Sequence, residues 1–151
     1  MEFEIVNLEP KTALSIRDTC TFEELPQKFG EIYGEISDYA KNNSIAFTGY
    51  PYGVYHSVSP EKIDLEAGIP AAGALAGAGR IVSTKTYSGK TAKAVHIGPY
   101  ENLKAAWGEF AKAVDSKDYK KAGPCFEVYV TDPGEEPDSS KWITELFTPI
   151  E

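Results

Sequence analysis

Two stretches of the chain repeat their apolar residues every three or four positions. The first runs Phe22, Leu25, Phe29, Ile32, Tyr33, Ile36, Tyr39, and the second Tyr100, Leu103, Trp107, Phe110, Val114. That spacing predicts two amphipathic helices, each with one buried face. Thr21 and Glu24 have the spacing of a capping box, and Pro26 suits a first helical turn after an irregular start. In "HIGPYENL", Gly98 marks a turn and Pro99 falls at or near the first helical position of the second helix.

After each helix the pattern changes to short strand-like runs. "TGYPYGVYHSV" and "KIDLEAGIP" follow the first helix, and "PCFEVYVTD" and "KWITELFTP" follow the second. Lead-in strands are expected at about Phe3 to Leu8 and Arg80 to Tyr87. The halves also align. "KTALSIRDT" from Lys11 has a counterpart in "KTAKAVHIG" from Lys90, 79 residues on, and Glu66/Glu145 and Pro70/Pro149 keep that interval. Tyr52-Gly53-Val54-Tyr55 aligns with Phe126-Glu127-Val128-Tyr129.

The expected fold class is therefore α+β: a tandem repeat of two strand-helix-strand-strand units with pseudo-two-fold symmetry, an antiparallel sheet and both helices on one face. One domain spans 1–151, with repeat one at about 1–70, a connector at about 68–79 and repeat two at about 80–151. The Gly/Ala-rich connector "AGIPAAGALAGAGR" lacks the strand–GxxxxGK[ST]–helix order that would make it a phosphate cradle.

Strand alternation assigns faces. Phe126, Val128 and Val130 form an apolar set suited to lie under a helix, which sends Glu127 and Tyr129 the other way. Ile143, Glu145 and Phe147 share one face of the last strand, and Trp142, Thr144 and Leu146 the other. If the last two strands pair, Glu127, Tyr129, Glu145 and Phe147 are expected to line one surface opposite the helices. Carboxylates among ring faces are the chemistry of a flat, apolar, often cationic ligand, because each ring attracts a cation by roughly 0.5–2 kcal/mol. The alternative is an open sheet face with its Glu residues solvated.

Charge narrows the partners. The net charge is −8, which argues against a nucleic-acid surface, since such affinity rests on clustered Lys and Arg. No apolar run is long enough to span a membrane, and a cytoplasmic location is expected. Cys20 and Cys125 are expected to be free thiols. His56 and His96 are not at metal-ligand spacing, and His96 is assigned to the turn before the second helix. No metal and no cofactor are expected, and GxSxG, HExxH and Cys–His signatures are absent. The acidic run "DPGEEPDSSK" is taken as a solvated hairpin loop.

"HIGPYENLKAAWGEF", "CFEVYVTDP" and "KWITELFTPI" together resemble the GyrI-like small-molecule-binding domain, the effector-binding module of AraC-type and MerR-type multidrug-responsive regulators. The resemblance covers nearly the whole chain and is closer in the second half. It implies a cleft between the repeats, lined by aromatics and a buried acid. It places Glu127, Glu145, Tyr55, Tyr100 and Trp107 as candidate ligand-binding residues, with Trp107 suited equally to core packing, and strand alternation adds Tyr129 and Phe147. No stretch is left over for DNA-binding helices, so a free-standing binding domain is expected, with a hydrophobic or cationic small molecule as partner. Stand-alone relatives also imply two alternatives. One is hydrolysis of cyclopropane-bearing alkylating natural products, with Glu127, Glu145 and Tyr55 as catalytic candidates. The other is a protein-interaction role such as gyrase inhibition.

Overall fold

The computed structural model describes residues 1–73 and 75–151. The chain runs β1 (Glu4–Leu8), β2 (Thr12–Cys20), α1 (Leu25–Asn42), β3 (Tyr52–Val58), β4 (Ile63–Pro70), β5 (Val82–Lys85), β6 (Gly89–Ile97), α2 (Leu103–Asp115), β7 (Cys125–Tyr129) and β8 (Ile143–Pro149). The α+β class and the doubled strand-helix-strand-strand order follow the hydrophobic pattern. No helix among the described residues is long and apolar enough to cross a membrane.

The compact units do not coincide with the sequence halves. One is continuous, Glu9–Tyr87, and the other joins Met1–Leu8 to Ser88–Glu151. The cause is an exchange of lead-in strands. β1 pairs antiparallel with β6, the first strand of the second repeat, whereas β5 pairs with β2, the first strand of the first repeat. The connector expected at 68–79 begins inside β4, which extends to Pro70; Ala74 within it lies outside the described residues.

In the continuous unit the strands lie in the order β3-β4-β2-β5. α1 packs on β2 and β4, where Leu14, Ile16, Ile32, Ile36 and Leu65 are fully buried. The capping box forms in the turn before the helix. The Thr21 N–H donates to Glu24 Oε1 at 2.9 Å and the Glu24 N–H donates to Thr21 Oγ1 at 3.2 Å. Pro26 then sits in the first turn of α1, where its missing N–H has no helical partner to lose. Phe22 precedes the helix and is 54% exposed, so the buried face begins at Leu25. On the same side of the sheet, Asp18 meets Lys28 at 3.1 Å and Arg80 at 2.7 Å.

In the discontinuous unit the order is β1-β6-β8-β7. Ala92 and Ala94 on β6 are small enough to let α2 approach, and Phe110 fills the space, fully buried beside Leu146, Ala106 and Val114. Phe3 closes this core with its ring 6.0 Å from that of Phe110.

The pairings test the internal alignment. Gly53 lies opposite Ala67 and Glu127 opposite Leu146, so β3 and β7 are equivalent as aligned. β2 and β6 are not related by 79. Ala13 faces Pro70 and Thr91 faces Pro149, an interval of 78 from Ala13 to Thr91. The one-residue difference matters because it moves every side chain of the strand to the other face. At an interval of 79 the buried Leu14 would match Lys93, which lies on the side of its sheet away from α2.

Candidate functional site

Directly opposed residues of an antiparallel pair share a face. On β8, Leu146 belongs to the α2 core, and its partner Glu127 therefore stands on the α2 side, as does Tyr129 opposite Thr144. Glu145 and Phe147 stand on the other side, opposite Val128 and Phe126. The expected common surface of Glu127, Tyr129, Glu145 and Phe147 is thus corrected: the strands do pair, but their register separates the two acids by the thickness of the sheet. Phe126, assigned to the space under the helix, instead stacks on Phe147 on the far face, with centroids 4.7 Å apart and planes at 9°.

Glu127 is buried, 2% exposed. Trp107 of α2 donates its indole Nε1–H to Oε1 at 2.6 Å, and the Tyr129 hydroxyl donates to Oε2 at 2.5 Å. Donors placed this way stabilise a carboxyl group in its ionised form. Trp107 also tilts against Phe110 at 5.6 Å, so it is both a core residue and a site residue, which its helical spacing allowed. From Tyr129 the aromatic series continues outward. The Tyr100 ring meets Tyr129 edge-on at 5.7 Å and Trp142 at 4.8 Å. Tyr100 is 36% exposed, and burial, followed by the nearby charges of Asp132 and Glu127, pushes its hydroxyl above the usual phenol range.

Local structure explains the placement of these rings. Gly98 adopts φ 143°, a conformation a side chain resists, and its N–H donates to the Trp142 carbonyl at 2.8 Å. Pro99 then leads into a single 3-10 turn, Tyr100–Asn102, that enters α2. His96 Nε2 lies 3.3 Å from the Pro99 carbonyl oxygen, the turn role assigned to it. The acidic loop is mostly exposed and is shaped by local side-chain hydrogen bonds. Asp132 Oδ1 accepts from the Gly134 N–H at 2.8 Å and Asp138 Oδ1 from the Ser140 N–H at 3.1 Å. The Glu136 carbonyl accepts from Trp142 Nε1–H at 2.8 Å and so fixes the indole beside Tyr100. Trp142 was not among the residues singled out from sequence. Its alternation with Thr144 and Leu146 already put it on the face that carries the site.

The other candidates lie elsewhere. Glu145 pairs with Lys93 at 2.8 Å, and its internal twin Glu66 hydrogen-bonds His56 at 2.9 Å. Tyr55 belongs to the continuous unit, opposite Leu65 and packed against the α1 core. Both thiols are free, and among the described residues no group of three or more His, Cys, Asp or Glu side chains is placed to hold a metal. A separate concavity of about 640 Å3 lies between the N-terminal residues and the end of α2, lined by Met1, Phe3, Ile5, Ala113, Lys117 and Tyr119 among others. It contains no part of the Glu127 cluster.

A profile describing the GyrI-like small molecule binding domain matches residues 1–151. The chain belongs to this family. The structure of this GyrI-like domain is similar to the EcmrR C-terminal domain, with a TM-score of 0.88 and 20% identity over 99% of this chain and 97% of that one. EcmrR in a DNA complex gives a TM-score of 0.88 at 18% identity over 99% of this chain, which spans 57% of the EcmrR chain there. SAV2435 bound to tetraphenylphosphonium matches with a TM-score of 0.67 and 16% identity over 100% of this chain and 94% of that one. A hydrolase from Listeria innocua matches with a TM-score of 0.67 and 11% identity over 99% and 92%. At these identities the likeness is one of fold. No curated protein sequence matches the chain.

Proposed function

We propose that this GyrI-like domain binds aromatic, cationic small molecules at the Glu127 cluster. The observation that carries the reading is a carboxylate 2% exposed, clasped by Trp107 and Tyr129 and continued outward by the rings of Tyr100 and Trp142. A carboxylate in such a place has a strong field, because little water screens it; at an effective dielectric of about 20, a cation about 5 Å away gains roughly 3 kcal/mol. The ring faces add roughly 0.5–2 kcal/mol where a cation lies over them. The similarity to SAV2435, a protein solved with tetraphenylphosphonium, supports the choice of ligand class. Calorimetric titration with tetraphenylphosphonium and with neutral triphenylphosphine oxide tests it. The cation is expected to bind at least tenfold more tightly; equal affinities, or no binding of either, would overturn the reading.

The Tyr129–Glu127 contact at 2.5 Å favours one second reading, hydrolysis of a strained alkylating ring. Water would add to a cyclopropane carbon as a ring C–C bond breaks and its electron pair passes to the conjugated carbonyl oxygen. Glu127 would take the water's proton, and the Tyr129 hydroxyl would turn from Glu127 to give its proton to that oxygen. Glu127 and Tyr129 are joined by a hydrogen bond on the α2 face, whereas Glu145 is on the opposite side. Incubation with a cyclopropane-bearing alkylator, followed by mass spectrometry, decides it. Ring-opened product beyond one equivalent supports turnover, and unaltered compound removes this substrate class.

A further inference from the structure

Beneath the aromatic series lies a polar group that the Glu127 clasp does not use. Thr144 is fully buried, and its Oγ1 has no hydrogen-bond partner among the described residues. It stands directly between Tyr129 on β7 and His96 on β6, and so on the α2 face of β8. Glu127 is its diagonal neighbour across the β7–β8 pair, at a separation of about 7–8 Å in such ladders. Its neighbours are engaged elsewhere: the Tyr129 hydroxyl donates to Glu127, and the His96 ring is 3.3 Å from the Pro99 carbonyl oxygen. Next along the strand, the same face is apolar, with Leu146 opposite Ala94. A buried hydroxyl left unpaired is destabilising, and valine has the same shape without that cost. A trapped water is a poor substitute, since it needs two to four polar partners of its own.

We propose that the Thr144 hydroxyl is a second polar anchor of this site and that it takes a hydrogen-bonding group carried by the ligand. The proposal rests on the Glu127 reading and narrows its ligand class from aromatic cations in general to aromatic cations bearing a hydroxyl, amino or carbonyl substituent. Glu127 holds the charge, the rings hold the flat body, and Thr144 reads the substituent. Such a division gives a specificity that apolar contact alone does not supply, because a site built to hydrogen-bond a group is left with an unpaired atom when the group is missing.

Calorimetry on the full chain tests this with tetraphenylphosphonium and with its 3-hydroxyphenyl and 4-hydroxyphenyl triphenylphosphonium relatives. At least one hydroxylated probe is expected to bind the wild-type protein fivefold or more tightly than the parent cation. Thr144→Val is expected to reduce that advantage to less than twofold, to leave parent-cation affinity within twofold, and to melt at the same temperature or higher. Thr144→Ser, which keeps the hydroxyl, is expected to retain the advantage, and Thr144→Ala, which removes the hydroxyl without adding bulk and is expected to lose it, carries the test if the valine variant does not fold. If neither hydroxylated probe gains over the parent in the wild type, or Thr144→Val keeps the gain, the Thr144 proposal is overturned and the Glu127 site stands. If the wild-type protein binds none of the three cations, both fall.

Discussion

Replacing Tyr129 with Phe removes one oxygen and leaves the ring. That oxygen donates to Glu127 Oε2 at 2.5 Å, and the acceptor is buried. Hydrogen bonds to an ionised group are worth about 1.5–3 kcal/mol, against about 0.5–1.5 kcal/mol between neutral groups. The edge contact between ring 129 and Tyr100 at 5.7 Å is kept, so the change reports the bond. Tyr129 is half-buried, water replaces part of the lost donor, and the lower end applies: about 1.5–2 kcal/mol. For a chain of this size that is a fall in Tm of about 3–8 °C. Urea denaturation of the wild type, Tyr129→Phe, Glu127→Gln and the double variant closes a cycle. Trp107 Nε1 can only donate, so the Gln carbonyl must turn toward it and the amide toward Tyr129, whose hydroxyl reverses to accept. In that background the bond is neutral, its removal costs about 0.5–1 kcal/mol, and the coupling energy is about 1 kcal/mol. A Tyr129→Phe change within about 0.5 kcal/mol of zero in both backgrounds would refute the clasp.

Gly68→Ala is expected to cost about 2–3 kcal/mol, because the new Cβ would lie 2.6 Å from the Tyr52 hydroxyl and 2.8 Å from the Leu14 carbonyl oxygen; thermal denaturation checks it, and adding Tyr52→Leu should restore only part, since the Leu14 backbone stays. Burial raises the Asp18 carboxyl, but the Thr19 N–H, Lys28 and Arg80 outweigh it and hold it below the usual range. The folded pKa is therefore the lower one, and the stabilisation is complete above the unfolded value, about 3.9, and lost as pH falls through the folded value. Asp18→Asn is expected to cost about 1 kcal/mol at pH 7, as suits a partly exposed network, and nothing once the pH is below both values, by urea midpoints. Glu145→Gln is expected to change tetraphenylphosphonium affinity less than twofold, because Glu145 faces away from the Glu127 cluster; a loss comparable to that of Glu127→Gln would contradict the assignment of faces.

The helices, the doubled order and the β3–β7 equivalence were legible because each rests on a local period or a short shared pattern. Which side of β7 meets the helix was not. Phe126, Val128 and Val130 look like the buried set, yet both faces of β7 carry buried residues, Phe126 on one and Glu127 on the other. Alternation then identifies two faces without saying which is covered. The helix supplies the missing information: a buried Trp usually finds an acceptor for its N–H, and Trp107 finds Glu127. The slip between β2 and β6 has a similar origin. The matching "KTA" triplets fix the eye on an interval of 79, whereas pairing with Pro70 and Pro149 sets 78 from Ala13 to Thr91. The strand exchange was beyond reach for another reason, since nothing within β1 or β5 names its partner.

That exchange sets an order of events during synthesis. All strands of the Glu9–Tyr87 unit have been made once Tyr87 emerges, while β1 must wait for β6, since Leu8 pairs with Gly89. At about 5–20 residues per second, the stretch from Tyr87 to the end of β8 at Pro149 takes about 3–12 s. Until β6 emerges the β1 segment is a tether without a partner, and until β8 follows its sheet is incomplete. The Glu127 clasp is assembled last, after the Glu9–Tyr87 unit can already have folded.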